Sequence, residues 1–314
     1  MRCRVNPEIA VIVPCLNEEV AIGQVVDAFR EHVPGCMVFV YDNGSTDRTV
    51  EVARTHGAVV RSEPLKGKGN VVRRMFADVE ADIYVMVDGD ATYDASAAPA
   101  LIEKLLRESL DMVTGTRVEQ GKAAYRRGHR FGNWLLTTLV AQIFGKRSSD
   151  MLSGYRVMSR RFVKTFPALS SGFEIETELT VHALQLRLPI ADVPTAYSDR
   201  PRGSASKLST FKDGFRILNT IAQLVREEIP LQFFGAAGLV LTLASVAVAT
   251  PVIVEYTHSG LVPRLPSAVL ATGLMLLAAL AFVCGLILGT VTRARNELKR
   301  LHYLAASIRI PRAG

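Results

Sequence analysis

Between Ile229 and Thr292 the chain carries two formal charges, Glu255 and Arg264, with His258 close by. No other feature restricts folding as severely. The two halves of this block, 232–254 and 265–291, each exceed the ~20 apolar residues that cross a bilayer core. Backbone in hydrocarbon must satisfy its own hydrogen bonds, so both are expected to be membrane-spanning helices. Two spans leave both flanks on one side. Basic residues gather on both flanks, at Arg200–Arg226 and Arg293–Arg300, which makes that side cytoplasmic and turns the Thr257–Pro263 connection outward. Just ahead of the first span, Phe211, Phe215, Leu218, Ala222 and Val225 share one helical face. That amphipathic helix either lies in the membrane interface or packs on the soluble part.

Formal net charge is +7 over 314 residues. The excess is grouped at Arg126, Arg127 and Arg130, at Lys146 and Arg147, at Arg200, Arg202 and Lys207, and in a tail with Arg293, Arg295, Lys299 and Arg300. Nucleic acid is one partner for such charge, but a membrane protein offers a simpler cause, and anionic headgroups and lipid phosphates become the expected partners. The four cysteines, Cys3, Cys15, Cys36 and Cys284, show no metal or redox spacing and read as free thiols. Ile9–Val13 is too short for a signal-peptide core and ends at Pro14, as a strand does.

The first two thirds alternate short apolar runs with helical spacing, the pattern of βαβ units and a mostly parallel, doubly wound α/β sheet. Strands are expected at Ile9–Val13, Met37–Tyr41, Ala58–Arg61, Ile83–Val87, Met112–Thr114 and Ile190–Ala196. Helices are expected at Val20–Phe29 with Asn17 as N-cap, Arg48–His56, Lys66–Val79, Ala95–Arg107, Gly128–Phe144 and Glu174–Leu186. The run Tyr84-Val85-Met86-Val87 reads as a central strand and breaks into Asp88-Gly89-Asp90. In open α/β sheets ligands sit beyond the carboxyl ends of the strands. Two carboxylates there make a hard-oxygen site suited to Mg²⁺ or Mn²⁺ carrying a diphosphate; the alternative is a polar turn.

Three stretches in order, Val13-Pro14-Cys15-Leu16-Asn17-Glu18, Tyr41 to Thr49 with Asp42-Asn43-Gly44-Ser45, and Asp88-Gly89-Asp90, resemble the donor half of family 2 glycosyltransferases of GT-A (Rossmann-like) fold. Gly115-Thr116-Arg117, Ser153-Gly154-Tyr155-Arg156, the Arg200–Lys207 loop and the paired spans are similar to the polyprenyl-phosphate subgroup, which includes dolichyl-phosphate mannose synthases and undecaprenyl-phosphate glucosyltransferases. The resemblance covers roughly residues 7–228. It implies a domain at 1–210, an interface helix at 211–230, two spans within 231–292 and a basic tail at 293–314.

It also implies roles. Pro14, Asn17, Glu18, Asp42, Lys68, Asp88 and Asp90 would bind the nucleotide sugar, with Asp88 and Asp90 on the metal. Glu18 would meet ribose hydroxyls or simply favour a helix N-terminus. The family usually has a second Asp after Asp42, where this chain has Asn43, and often a Gln where it has Thr92. Arg117, Arg126, Arg130, Ser153, Arg156, Arg202, Ser206 and Lys207 would meet the acceptor, with Asp90, Arg117, Arg200, Arg202 and Lys207 closest to the chemistry. Arg156 paired to Asp150 is the structural alternative. UDP-hexose is favoured over GDP-hexose as donor.

The expected reaction is transfer of a hexose to polyprenyl phosphate at the cytoplasmic leaflet, in a bacterial inner membrane. An acceptor phosphate is already anionic near neutral pH, with a second pKa near ~6, so no protein base is needed. A sugar hydroxyl or diacylglycerol acceptor would need one, and Glu174 and Glu176 would supply it. Release of nucleoside monophosphate would mark a phosphoglycosyl transferase instead, and a non-catalytic assembly subunit would tolerate loss of both Asp88 and Asp90. Two spans bury little interface, so a homo-oligomer is expected.

Overall fold

The parallel strands earn their place through alternation. In the computed structural model, which describes residues 7–119, 137–138, 140–142, 144–145, 150–201, 222–223 and 225–306, β1 (Ile9–Cys15), β2 (Met37–Asp42), β3 (Val59–Ser62) and β4 (Ile83–Met86) form one half of a seven-stranded sheet. Ala10, Ile12, Phe39, Tyr41, Tyr84 and Met86 point to one face. Val11, Val13, Val38, Val40, Ile83 and Val85 point to the other. Successive side chains of a strand face opposite ways, so a strand covered on both sides is apolar throughout.

The first face is covered by α3 (Lys68–Asp78), α5 (Arg160–Thr165) and α6 (Ile175–Gln185), through Val72, Met75, Phe76, Phe162 and Leu179. The second is covered by α1 (Ile22–His32) and α4 (Ala98–Arg107), through Ile22, Val26, Phe29, Leu101 and Leu105. Helix α2 (Thr49–Thr55) links β2 to β3. Helix α1 starts at Ile22, not at Val20, and Asn17 does not cap it. A 3₁₀ turn at Ala95–Ala97, capped by the Asp94 side chain, precedes α4.

The strand order is β3-β2-β1-β4-β6-β5-β7, with β5 at Met112–Glu119, β6 at Arg156–Ser159 and β7 at Ile190–Tyr197. β6 runs antiparallel between β4 and β5, and every other pairing in the sheet is parallel. The sequence pattern does not reveal β6, whose four residues begin with an arginine. Gly115, Thr116 and Arg117 lie inside β5, which pairs with β7 from Met112 through Glu119. The strand outlasts its apolar run because β7 supplies hydrogen bonds along its whole length.

The chain divides into two units, Met1–Ile217 with Lys299–Gly314, and Leu218–Leu298. In the second, α7 (Pro230–Ser259) and α8 (Leu265–Ala305) are both long and apolar enough to cross a membrane. Their seam is built from small residues seven apart. Gly238, Ser245 and Val252 on α7 are buried, as are Ala271, Ala278 and Gly285 on α8. A Cβ on Gly238 would lie 3.1 Å from the Ala278 carbonyl, and one on Gly285 3.3 Å from Leu231 Cα. Ser245 Oγ donates to the Ala271 carbonyl at 2.7 Å. Small residues let apolar helices approach closely where no water drives them together. Large side chains such as Leu239, Leu243 and Leu277 remain exposed outside the seam.

Helix α8 does not stop where its apolar run stops. Residues 293–305, expected as a tail, continue it, because Ala, Arg, Glu, Leu and Lys favour helix and no Gly or Pro intervenes. Lys299 and Tyr303 belong to the first unit, where Lys299 Nζ donates to Gln185 Oε1 at 2.8 Å and Tyr303 Oη to Asp111 Oδ2 at 2.6 Å. The helices expected at 128–144 and 211–230 lie mostly outside the described residues.

Candidate active site

Parallel pairing brings three loops to one edge. Cys15 is in register with Asp42, and Ile12 with Met86, so the segments after β1, β2 and β4 leave the sheet together. The first two interlock. Asn17, at φ +50°, accepts the Thr46 amide on Oδ1 at 2.8 Å, and its own amide donates to Ser45 Oγ at 2.8 Å. The Glu18 amide donates to Thr49 Oγ1 and the Arg48 amide to Glu19 Oε2. Asn17 tolerates the left-handed region as few residues do. Asp42 is nearly closed to solvent and accepts the Gly44 and Ser45 amides at 3.1 to 3.2 Å.

Asn43 shows why an amide stands where a carboxylate is usual. Its Nδ2 donates to the carbonyls of Glu63 and Leu65, at 2.9 and 2.8 Å. Its Oδ1 accepts the Gly67 amide at 2.7 Å. A carboxylate has no donor for the two carbonyls. Asn43 therefore ties the end of β2 to the segment that carries Lys66 to Lys68.

That segment does not present a vacant cradle of amides. The Gly69 amide donates to the Ser171 carbonyl at 3.0 Å, and Asn43 takes the Gly67 amide. A Cβ at Gly67 or Gly69 would collide with the carbonyls of Ser171 and Ser170. The glycines serve close backbone packing, and what this segment aims at the site is the Lys68 side chain.

Lys68 Nζ lies 2.5 Å from Asp88 Oδ1 and 2.5 Å from Glu176 Oε1. Burial would lower its pKa, but the two carboxylates outweigh burial and hold it above the ordinary lysine value. Asp90 meets Arg200, Nη2 to Oδ2, at 2.7 Å. The Thr92 hydroxyl donates to Asp90 Oδ1 at 2.6 Å and the Thr92 amide at 3.2 Å, so Thr92 orients a carboxylate. Gly154 lies flat against Asp88: a Cβ there would overlap the carboxylate. The Gly154 amide donates to Tyr93 Oη at 2.8 Å.

Arg117 forms a two-point pair with Asp150, Nε to Oδ2 at 2.6 Å and Nη2 to Oδ1 at 2.7 Å. Burial alone would raise the Asp150 pKa, but the hydrogen bonds and charge of Arg117 hold it below the usual carboxylate value. The Arg117 guanidinium lies 5.6 Å from the Tyr197 ring.

Asp88 and Asp90 thus each face a cation, Lys68 and Arg200. Among the described residues no three His, Cys, Asp or Glu side chains converge as a metal cage. The donor set nevertheless fits Mg²⁺ or Mn²⁺, which accept one or two carboxylates and take their remaining ligands from phosphate oxygens and water.

The likeness to known proteins lies in family and fold. The model of glycosyl transferase family 2 matches residues 10–166. Glycosyltransferase AglJ of Haloferax volcanii is 31% identical over 298 residues, covering 94% of this chain and 98% of the relative. The chain belongs to glycosyl transferase family 2. Its fold is GT-A, and it is a glycosyltransferase. The dolichyl-phosphate hexose transferase of the same organism is 29% identical over 221 residues, covering 70% of this chain and 95% of that one. Glucosyl-3-phosphoglycerate synthase of Mycobacterium tuberculosis, solved with Mn²⁺, uridine diphosphate and glucosyl-3-phosphoglycerate, matches with a TM-score of 0.57 at 27% identity, over 70% of this chain and 79% of that one.

Within this family 2 glycosyltransferase, Pro14, Asn17, Glu18, Asp42, Lys68, Asp88, Asp90 and Arg200 come to one edge of the sheet, with Arg117 on β5. Ser153 and Arg156 lie beneath that edge. Ser153 is fully buried and its Oγ donates to the Gly115 carbonyl at 2.5 Å. Arg156 is fully buried too. It donates to the carbonyls of Ser153, Met151 and Glu176 and to Thr180 Oγ1, at 2.9 to 3.1 Å. Asp150, the expected partner of Arg156, pairs instead with Arg117. Arg126, Arg130, Arg202, Ser206 and Lys207 lie outside the described residues. The sequence pattern offered no sign of Asn43 as a clasp, of Gly154 as the floor under Asp88, or of Glu176 as the second partner of Lys68.

Proposed function

We propose that this glycosyltransferase is anchored in a membrane by α7 and α8 and moves one hexose, with inversion, from a nucleotide diphosphate sugar to polyprenyl phosphate. The donor is a UDP-sugar, in keeping with the UDP bound by the mycobacterial neighbour. The acceptor follows the named relative that transfers hexose to dolichyl phosphate. The catalytic unit lies on the cytoplasmic face of a bacterial inner membrane in this reading, and the basic flanks of the apolar helices favour the cytoplasmic side.

One observation carries the acceptor class. Glu176, one of the two acids expected as a base, is almost wholly buried and pinned to Lys68 at 2.5 Å. A hydroxyl acceptor needs a base with access to it, whereas a phosphate acceptor brings its own charge. A phosphate oxygen forms the new bond to the anomeric carbon, the bond to the donor diphosphate breaks, and the diphosphate leaves with the electron pair. No proton moves.

A divalent ion on Asp88 and Asp90 would neutralise charge building on the leaving diphosphate. The chain's own cations do the rest. Arg200, already on Asp90, faces the diphosphate. Arg117, oriented by Asp150, holds the acceptor phosphate in line; fixed charges aimed at developing charge cost no reorganisation during the reaction. Arg202, Ser206 and Lys207 complete the grip on the phosphates, with Arg126 and Arg130 on the acceptor side. Pro14, Asn17, Glu18 and Asp42 form the nucleoside side.

The test uses purified protein in detergent with Mn²⁺, a panel of UDP- and GDP-sugars, and either polyprenyl phosphate or polyprenol. Nucleoside diphosphate released only with the phosphorylated lipid supports the proposal. Release with polyprenol, or of nucleoside monophosphate, refutes it.

A further inference from the structure

Lys68 is the first residue of α3, Asp88 follows β4 and Glu176 sits in the first turn of α6, so three separate elements meet at one ammonium. The two carboxylates are not equivalent. The side chain of Glu176 is 8% exposed, and its own carbonyl is held by the buried Arg156 at 2.9 Å. Lys68 is equally closed, at 8%. Asp88 is 28% exposed and opens toward the edge where ligands arrive. The segment carrying Lys68 is itself tied down by Asn43 and by the Ser171 carbonyl. The ammonium is thus anchored firmly on the Glu176 side and rests on Asp88 from within.

We propose that Lys68 is a tethered counter-cation that occupies Asp88 while no donor is bound and makes metal and donor binding depend on each other. This rests on the reading of Asp88 as a metal-binding carboxylate. An ammonium hydrogen-bonded to Asp88 Oδ1 competes with a divalent ion for the same oxygen, and the two cations repel. A bound diphosphate changes the balance. It offers the ammonium a second anion within reach, so Lys68 turns from Asp88 toward the phosphates without leaving Glu176. Asp88 is then available to the ion that arrives with the diphosphate. Glu176 and Asn43 act as positioning residues: one holds the ammonium, the other its backbone. The arrangement keeps a free metal ion from settling on the aspartates before the donor is present.

The test is Mn²⁺ binding to the full chain in detergent, read from the electron paramagnetic resonance signal of free Mn²⁺, without nucleotide and with UDP. In the wild type, UDP tightens Mn²⁺ binding. In Lys68→Met, Mn²⁺ alone binds about tenfold tighter than in the wild type, and the tightening by UDP shrinks by about the same factor, since no ammonium is left on Asp88 for UDP to draw away. Lys68→Arg, which keeps the charge, stays close to the wild type. Two results overturn the proposal: unchanged affinity of Lys68→Met for Mn²⁺ alone, or equal tightening with and without UDP, which would mean a general field effect. If Lys68→Met does not fold, lysine ¹⁵Nζ resonances of the wild-type protein decide. One slowly exchanging ammonium signal shifts when UDP is added without metal, and failure of every such signal to respond overturns the proposal. Absence of Mn²⁺ binding in every form, with UDP or without, would overturn the metal reading itself and this proposal with it.

Discussion

Replacing Asn43 by aspartate would restore the residue usual at this position in the family, and on resemblance alone it should be harmless. The structure predicts the opposite. The Asn43 amide orientation is dictated by its partners: two carbonyls, Glu63 and Leu65, require the NH₂ on one side, and the Gly67 amide requires the oxygen on the other. In Asn43→Asp both donors vanish, and a carboxylate oxygen faces two carbonyl oxygens at about their present separations. Asn43 is nearly buried, so water replaces few of the lost bonds. A buried acceptor left without a partner costs about 1–3 kcal/mol. Two of them, partly relieved by local movement, cost about 2–4 kcal/mol. For a domain of this size that is a fall in Tm of roughly 5–12 °C. The penalty should ease in acid, because a protonated carboxyl regains one donor. The segment carrying Lys68 should loosen as well, weakening UDP binding. Thermal melts at pH 7.5 and pH 5, with UDP titrations, read all three effects. A variant that melts within about 2 °C of the wild type at pH 7.5 and binds UDP equally would refute the reasoning.

Gly154→Ala should weaken Mn²⁺ and UDP binding about tenfold or more with an unchanged circular dichroism spectrum, because the new methyl lands on the Asp88 carboxylate; binding titrations check it. Because Arg117 depresses the Asp150 pKa, the pair's contribution is present above the unfolded carboxylate value of about 3.9 and is lost as pH falls through the lower folded value. Asp150→Asn should therefore lower stability at neutral pH and flatten the acid side of the unfolding curve, measured by denaturant midpoints from pH 7 to pH 3. Gly238→Leu should splay α7 from α8, since even a Cβ would meet the Ala278 carbonyl at 3.1 Å. Disulfide trapping between Ser245→Cys and Ala271→Cys, in a Cys284→Ala background, should fall sharply.

Much of the catalytic fold was readable because its strands are buried on both faces. Val11, Val40 and Val85 advertise a parallel sheet through plain apolar runs, and Asp88-Gly89-Asp90 marks a strand end. What the sequence pattern concealed lies in contacts between distant residues. β6 is a strand because β4 and β5 flank it, and Arg156, a charged residue in a sequence, becomes a core residue because five neutral acceptors, the Met112 sulfur among them, surround its guanidinium. The glycines of the Lys66–Gly69 segment accommodate Ser170 and Ser171, about a hundred residues away. Periodicity cannot report such approaches. It also cannot report that α8 continues through Arg293 to Ala305, since the end of an apolar run marks a change of surroundings and not the end of a helix.

The central claim is that the sugar is passed to the phosphate of a lipid. Mass spectrometry of the lipid product from ¹⁸O-labelled polyprenyl phosphate and a nucleotide sugar tests it most directly. The account predicts a product heavier by one hexose, with a single phosphorus atom and all of the labelled oxygen retained. A product with two phosphorus atoms, or a hexose found on a hydroxyl acceptor while the lipid phosphate stays unmodified, would contradict it.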